Sequence, residues 1–245
     1  MPEGSICRNF LFLHKSQRHA AFDWNLCSSL PMVKKRQGNF GAYGQDLKME
    51  NALKVSLKQI NGPWDLGWVL DKHMISSTFL GEDEHGNPRF DNHRTEVGQA
   101  TYQLKYQKDW SQVGPLAQAV ATNLLPKLTQ VGFVVPMPAS NVRARQPVTE
   151  VAMELGRIIG KPVFSDLLRK AATGQSLKDL NSKAEKVAAI GASFSVNDQI
   201  TSTGCWNVLV VDDLFDSGAS MDAACAALRK YPKVGKIYVA ALTWK

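Results

Sequence analysis

Two adjacent carboxylates, Asp212 and Asp213, follow the uninterrupted apolar run Val208-Leu209-Val210-Val211 and precede the small polar segment Asp216-Ser217-Gly218-Ala219-Ser220. A short β-branched run of this kind reads as a strand covered on both faces of a parallel sheet. The acidic pair then falls at the strand's carboxyl end, where open α/β sheets bind their ligands. The segment beyond it offers backbone N–H groups, two hydroxyls and a glycine, and it opens into the apolar-periodic stretch Met221 to Leu228. A loop at a helix N-terminus is an anion cradle, because unpaired amides and the positive end of the helix dipole face the same way. The order strand, acidic pair, loop, helix suits a sugar phosphate. The plainer alternative is a strand cap followed by a turn glycine.

The stretch resembles the phosphoribosyl-pyrophosphate (PRPP) signature of type I phosphoribosyltransferases, in which four apolar residues, an acidic pair and two apolar residues lead into a five-residue loop. The resemblance implies that Asp212 and Asp213 take the ribose hydroxyls, open to ligand rather than packed, and that Asp216, Ser217, Gly218, Ala219 and Ser220 take the 5′-phosphate. It also makes Asp216 the candidate catalytic general base, since some purine enzymes of the family carry an aspartate there. Leu104-Lys105-Tyr106, Asp109 and Val134-Val135-Pro136-Met137-Pro138 are similar to marks of the ComF-type subgroup, which is linked to DNA uptake. Arg143, Arg145, Gln146, Arg169, Thr173, Gln175, Leu177 and Phe194 follow in that subgroup's order, so the resemblance spans roughly residues 100 to 245. Two departures stand out: Arg145-Gln146-Pro147-Val148 replaces the usual Arg-Gly-Phe-Asn-Gln stretch, and the N-terminal cysteine zinc module is absent.

By the same resemblance, Pro138, Ala139, Ser140 and Asn141 form a pyrophosphate loop, with the fork of Arg143 or Arg145 gripping the phosphates. Arg169, Lys170, Thr173 and Gln175 fall in a flexible loop that closes over substrate and excludes water. The implied cofactor is Mg²⁺, which prefers oxygen ligands and keeps several waters, with Asp212 and Asp213 serving it indirectly through the ribose. The implied function is a Mg²⁺-dependent phosphoribosyltransferase-like protein that binds PRPP or a nucleotide 5′-phosphate. The other reading is a non-enzymatic protein of DNA uptake or processing that uses the pocket to sense a phosphorylated ligand or to contact single-stranded nucleic acid.

The chain's 245 residues are enough for one well-buried α/β domain plus an accessory piece. Nothing in it approaches the roughly 20 consecutive apolar residues of a membrane span. The patch Phe10-Leu11-Phe12-Leu13 is too short for a signal peptide's core, so a cytoplasmic protein without membrane contact is expected. A net charge of +7 attracts polyanions, either nucleic acid or a pyrophosphorylated substrate. The longest basic run is only Lys34-Lys35-Arg36. Cys7, Cys27, Cys205 and Cys225 are scattered without a Cys-x-x-Cys pair, which reads as reduced thiols rather than a zinc site. A homodimer is one expected assembly.

Residues 1–48 read as a basic, poorly ordered extension or a small basic subdomain that contacts a partner, residues 49–105 as a β-rich hood or accessory segment, and residues 106–245 as the phosphoribosyltransferase-like domain. In the hood, Trp68-Val69-Leu70 and Ile75 to Leu80 are β-prone, and residues 81–88 form a turn cluster. Thr95 to Tyr106 reads as strand or helix. Trp64, Trp68, Phe79, Phe90 and Tyr102 are available to stack on a base, whereas His73, His85 and His93 read as surface turn residues. Beyond residue 106 the pattern alternates. Helical faces run from Val113 to Leu128 and from Val148 to Ile159 before Gly160, and strands are expected at Phe133-Val134-Val135, from Pro162, at Val208 and at Lys236 to Leu242. The expected fold class is α/β, a mostly parallel sheet flanked by helices with right-handed crossovers and a small N-terminal β-rich hood.

Overall fold

The computed structural model describes residues 52–139, 143–171 and 193–245. The strands are β1 (Lys58–Gln59), β2 (Leu66–Lys72), β3 (Ser76–Glu82), β4 (Pro88–His93), β5 (Val131–Pro136), β6 (Leu168–Lys170), β7 (Phe194–Val196), β8 (Trp206–Phe215) and β9 (Val234–Trp244). The helices are α1 (Glu96–Tyr102), α2 (Val113–Asn123), α3 (Pro147–Ile159) and α4 (Ala219–Arg229). All of them lie in one compact unit, Phe40–Lys245.

The main sheet has the order β1-β2-β9-β8-β5, and every pairing from β2 to β5 is parallel. Only β1 runs antiparallel. Parallel strands covered on both faces must be apolar on both, and the central strands obey this with period 2. Val208 and Val210 of β8, with Ile237, Val239 and Ala241 of β9, pack into the cluster that contains Met221, Ala224, Cys225 and Leu228 of α4. Leu209 and Val211, with Tyr238, Ala240 and Leu242, face the opposite cluster, built with Val97, Leu104, Leu116, Val120 and Leu155. The result is the expected α/β fold, a mostly parallel sheet between two layers of helix.

The segment 49–105 contributes more than a hood. Its β2 is an internal strand of the main sheet, paired with β9 from Leu66↔Tyr238 to Lys72↔Trp244, and Val69 and Leu70 are fully buried on opposite faces. What projects is the hairpin β3–β4, whose strands are exposed almost throughout, with Phe79 and Phe90 edge to face at 5.5 Å between ring centres. The expected strand from Pro162 shrinks to a single parallel bridge, Val134↔Val163. There Val134 N–H donates to Pro162 O and Phe164 N–H donates to Val134 O, while Pro162 has no N–H to offer a further neighbour. The extension 1–48 lies outside the described residues.

Helix ends follow their local chemistry. Thr95 caps α1 by accepting from the Gly98 N–H at 2.9 Å. Pro147 opens α3, and Gly160 closes it in the left-handed region at φ 64°. Inside α1, Gly98 lies against the end of β2: a Cβ there would sit 2.1 Å from the His73 carbonyl oxygen. Alanine's better helix propensity is worth about 1 kcal/mol, whereas forcing packed backbone apart costs about 1–3 kcal/mol. Gly98→Ala is therefore expected to destabilise the protein despite its sequence-level appeal. Urea unfolding checks the sign, and a midpoint above that of the parent protein would show that α1 can move away freely.

Candidate functional site

The carboxyl ends of β2, β9, β8 and β5 lie on one side of the sheet, because these four strands are parallel. Strand β8 runs on past β5: its last partner there is Val211, opposite Pro136, leaving Asp212 to Phe215 without a neighbour on that edge. The acidic pair begins where the sheet opens. Period 2 turns Asp213 toward the face of Leu209 and Val211, the side that carries Leu104. On that side a π-helical turn, Gln103–Gln107, presents Lys105, whose Nζ lies 2.6 Å from Asp213 Oδ2. Asp212 turns the other way, and its Oδ1 accepts the Asp213 N–H at 2.8 Å.

The two acids are half-buried rather than open to solvent, Asp213 keeping only 15% of its side-chain exposure. Burial, reinforced by the neighbouring Asp213 charge, pushes the Asp212 carboxyl up to about 7, against the hydrogen bond from the Asp213 N–H and the pull of Lys105 and Lys170. Burial disfavours the Lys105 ammonium, yet the adjacent Asp213 carboxylate outweighs it and holds the lysine above its ordinary value. His73, at the end of β2, is depressed by burial and then by the charges of Arg94 and Lys105.

After Phe215 the chain turns through Gly218, at φ 82° and ψ −15°, straight into α4. This conformation is open to glycine and strained for other residues. A Cβ would also lie 3.1 Å from Phe215 Cζ, and that ring is itself held edge-on against buried Trp64 at 6.1 Å. The first intrahelical bond is made by Asp222 N–H to Gly218 O, so the preceding amides of Ala219, Ser220 and Met221 have no helical acceptor. They form the N-terminal end of α4, where the helix dipole is positive. Asp216 is exposed and lies 3.1 Å from Lys245 Nζ, and Ser217 is exposed.

A cavity of roughly 300 Å³ joins these parts, its lining shared by Asp212, Asp213 and Ser220 with Pro138, Ala139 and Arg143. Lys105 and Lys170 also line it. Of the two arginines read as phosphate grips, Arg143 reaches the cavity and donates from Nη1 to the Lys105 carbonyl at 3.1 Å. Arg145 is spent on structure: it pairs with Glu150 at 2.7 Å and lies 4.1 Å over the Trp110 ring. Arg169 likewise pairs with Asp166, its Nε donating at 2.8 Å. Ser140, Asn141, Thr173 and Gln175 lie outside the described residues. None of the five aromatics read as stacking candidates lines the cavity. Trp64 is core, its indole N–H donating to the Ile60 carbonyl at 3.1 Å.

The sequence signal for Lys105 was present in Leu104-Lys105-Tyr106, but its place beside Asp213 depends on the π-helical turn. His73 carried no signal beyond a strand ending beside it. Among the described residues, no group of three His, Cys, Asp or Glu side chains is placed to hold a metal ion. The acidic pair alone, with one member engaged by an ammonium, does not make a resident Mg²⁺ site. A metal would need oxygens brought by a ligand.

No protein-family model matches the chain, and no curated protein does. Among solved structures it is similar to adenine phosphoribosyltransferases. The enzyme from Saccharomyces cerevisiae, complexed with an imino-altritol bisphosphate and adenine, matches at 12% identity and a TM-score of 0.38, over 69% of this chain and 85% of that one. The enzyme from Leishmania tarentolae matches at 9% identity and 0.41, over 78% and 95%. The enzyme from Thermoanaerobacter pseudethanolicus matches at 14% and 0.37, over 70% and 96%. No helix among the described residues is long and apolar enough to cross a membrane.

Proposed function

We propose that the protein is phosphoribosyltransferase-like and binds PRPP or a nucleotide 5′-phosphate. The observation that carries this reading is that Asp212, Asp213 and Ser220 open on the same cavity as Pro138, Ala139 and Arg143. In it the ribose hydroxyls donate to the acidic pair, and the 5′-phosphate sits on the free amides of Ala219 to Met221. The pyrophosphate lies toward Pro138 and Ala139, where Arg143 and Lys170 offset its charge. Mg²⁺ would be held by the ligand's own oxygens, with Asp212 and Asp213 serving it only through the ribose, and would offset pyrophosphate charge.

The reaction open to such a site is displacement at the anomeric carbon. The bond to the pyrophosphate oxygen breaks with its electron pair, positive charge develops on the ribose ring, and an acceptor nitrogen closes the new bond. The wall cations stabilise the charge gained by the leaving group, and the fixed ligand geometry lowers the entropic cost of attack. Asp216 would take the acceptor's proton only after releasing Lys245.

PRPP with Mg²⁺ is expected to raise the melting temperature, since a ligand bound only by the folded state adds about 2.7 kcal/mol at a hundredfold excess over Kd. Ribose 5-phosphate should do so more weakly. Differential scanning fluorimetry checks this, with pyrophosphate release followed over a panel of nucleobases. No shift at millimolar PRPP, alongside a clear shift with single-stranded DNA, would replace the reading by a nucleic-acid one.

A further inference from the structure

The acidic pair already has a cation of its own. Lys105 Nζ lies 2.6 Å from Asp213 Oδ2, the lysine side chain being 30% exposed and the aspartate 15%. At that depth the loss of one partner strands the other's charge, so the pair holds until something replaces it. The lysine is also placed with care. Leu104 anchors the turn in the core at 2% exposure, and Lys108 ends it in the left-handed region at φ 59°. Short π-helical insertions of this kind are frequent at functional sites. The Lys105 carbonyl in turn accepts from Arg143, a second residue of the cavity lining, which ties the turn to the segment after β5. Lys105 and Arg143 thus match in number even two ionised carboxylates, and Asp212 is fully ionised only above about pH 7. A bare divalent cation entering here meets no net negative charge, whereas a phosphorylated ligand meets Lys105, Arg143 and Lys170 in the lining.

We propose that Lys105 is the resident cation of this site: it keeps free divalent metal off Asp212 and Asp213, and a ligand hydroxyl must take its place on Asp213 in order to bind. The second half rests on the phosphoribosyl reading above; the first does not. When the hydroxyl donates to Asp213, the released ammonium is free to follow the ligand's anionic groups. Binding is thereby coupled to an exchange of partners at one carboxylate. A ribose phosphate without pyrophosphate should need no metal.

Mn²⁺ alone, titrated into the full-length protein and read as loss of the free-ion electron paramagnetic resonance signal, tests the first half. The parent protein should bind Mn²⁺ no tighter than millimolar. Lys105→Met should bind it at least tenfold more tightly, and adding Asp213→Asn to that variant should remove the gain. Lys105→Gln serves if the methionine variant does not fold, and Lys105→Arg should behave like the parent. Micromolar binding by the parent that Asp213→Asn abolishes would overturn the proposal, as would a folded Lys105→Met or Lys105→Gln with no gain. Ribose 5-phosphate affinity, compared in chelator and in Mg²⁺, tests the second half. Equal affinities are expected, and a tenfold dependence on metal would overturn it. If ribose 5-phosphate and PRPP both fail to bind, the phosphoribosyl reading falls while the Mn²⁺ result still decides the role of Lys105.

Discussion

Gly218→Val is expected to weaken binding of 5′-phosphorylated ribose by about a hundredfold, or about 2.7 kcal/mol. Three effects add at this position. Its backbone sits at φ 82°, where a β-branched residue is strained by about 1–3 kcal/mol. A Cβ would lie 3.1 Å from the Phe215 ring, so that ring, packed edge-on against buried Trp64, must shift to admit it. The γ-methyl groups would then crowd the amides of Ala219 and Ser220 that a phosphate must reach. The strain lowers stability, and the crowding lowers affinity. Ribose without phosphate separates the two, since its weak binding should change far less. Isothermal titration of ribose 5-phosphate and ribose against both proteins is the measurement, and an unchanged phosphate affinity would place the anion elsewhere.

The strand-to-helix passage around Gly218 was legible in the sequence because each of its determinants is local. Val208 to Val211 must be apolar on both faces, Asp212 and Asp213 must follow at the open end, and a glycine must turn the chain into α4. Strand β2 was not legible as part of the main sheet. Trp68-Val69-Leu70 reads as a strand, but its partner β9 lies some 170 residues away in sequence, and no local pattern encodes that pairing. The same limit hid Lys105, which meets Asp213 across 108 residues through a π-helical turn. Thr95 to Tyr106 stayed ambiguous for a different reason. The Thr95 cap and Glu96 favour a helix, while Gly98 counts against one until its packing on His73 is seen. The two arginines show how chemistry and placement separate. Both suit pyrophosphate by type, and only the contacts to Glu150 and Trp110 remove Arg145 from the cavity.

Asp212→Asn should stabilise the protein above neutral pH and leave it unchanged near pH 4. The folded protein holds the Asp212 proton up to about pH 7 because burial and the Asp213 charge oppose ionisation, whereas the unfolded chain releases it near 3.9. The folded state therefore binds more protons between those values, and stability falls as pH rises through that window. The cost is complete above pH 7 and amounts to something on the order of 4 kcal/mol, at 1.36 kcal/mol per unit. Asparagine removes the charge while its Oδ1 can still accept the Asp213 N–H. Other groups face this carboxyl or its neighbour, namely Lys105, Lys170 and His73. The depressed His73 acts with the opposite sign, its contribution growing as pH rises through its own transition. The difference between variant and parent reports Asp212 together with its coupling to Asp213, and neither profile does so alone. Chemical denaturation at pH 4, 6 and 8 should show the two proteins converging at the acid end and the variant pulling ahead at the alkaline end. Above pH 7, where Asp212 is ionised, the same substitution should weaken ribose 5-phosphate binding, since a diol loses one of its two acceptor carboxylates. A variant less stable than the parent at pH 8 would mean that the Asp212 charge is compensated in the fold after all.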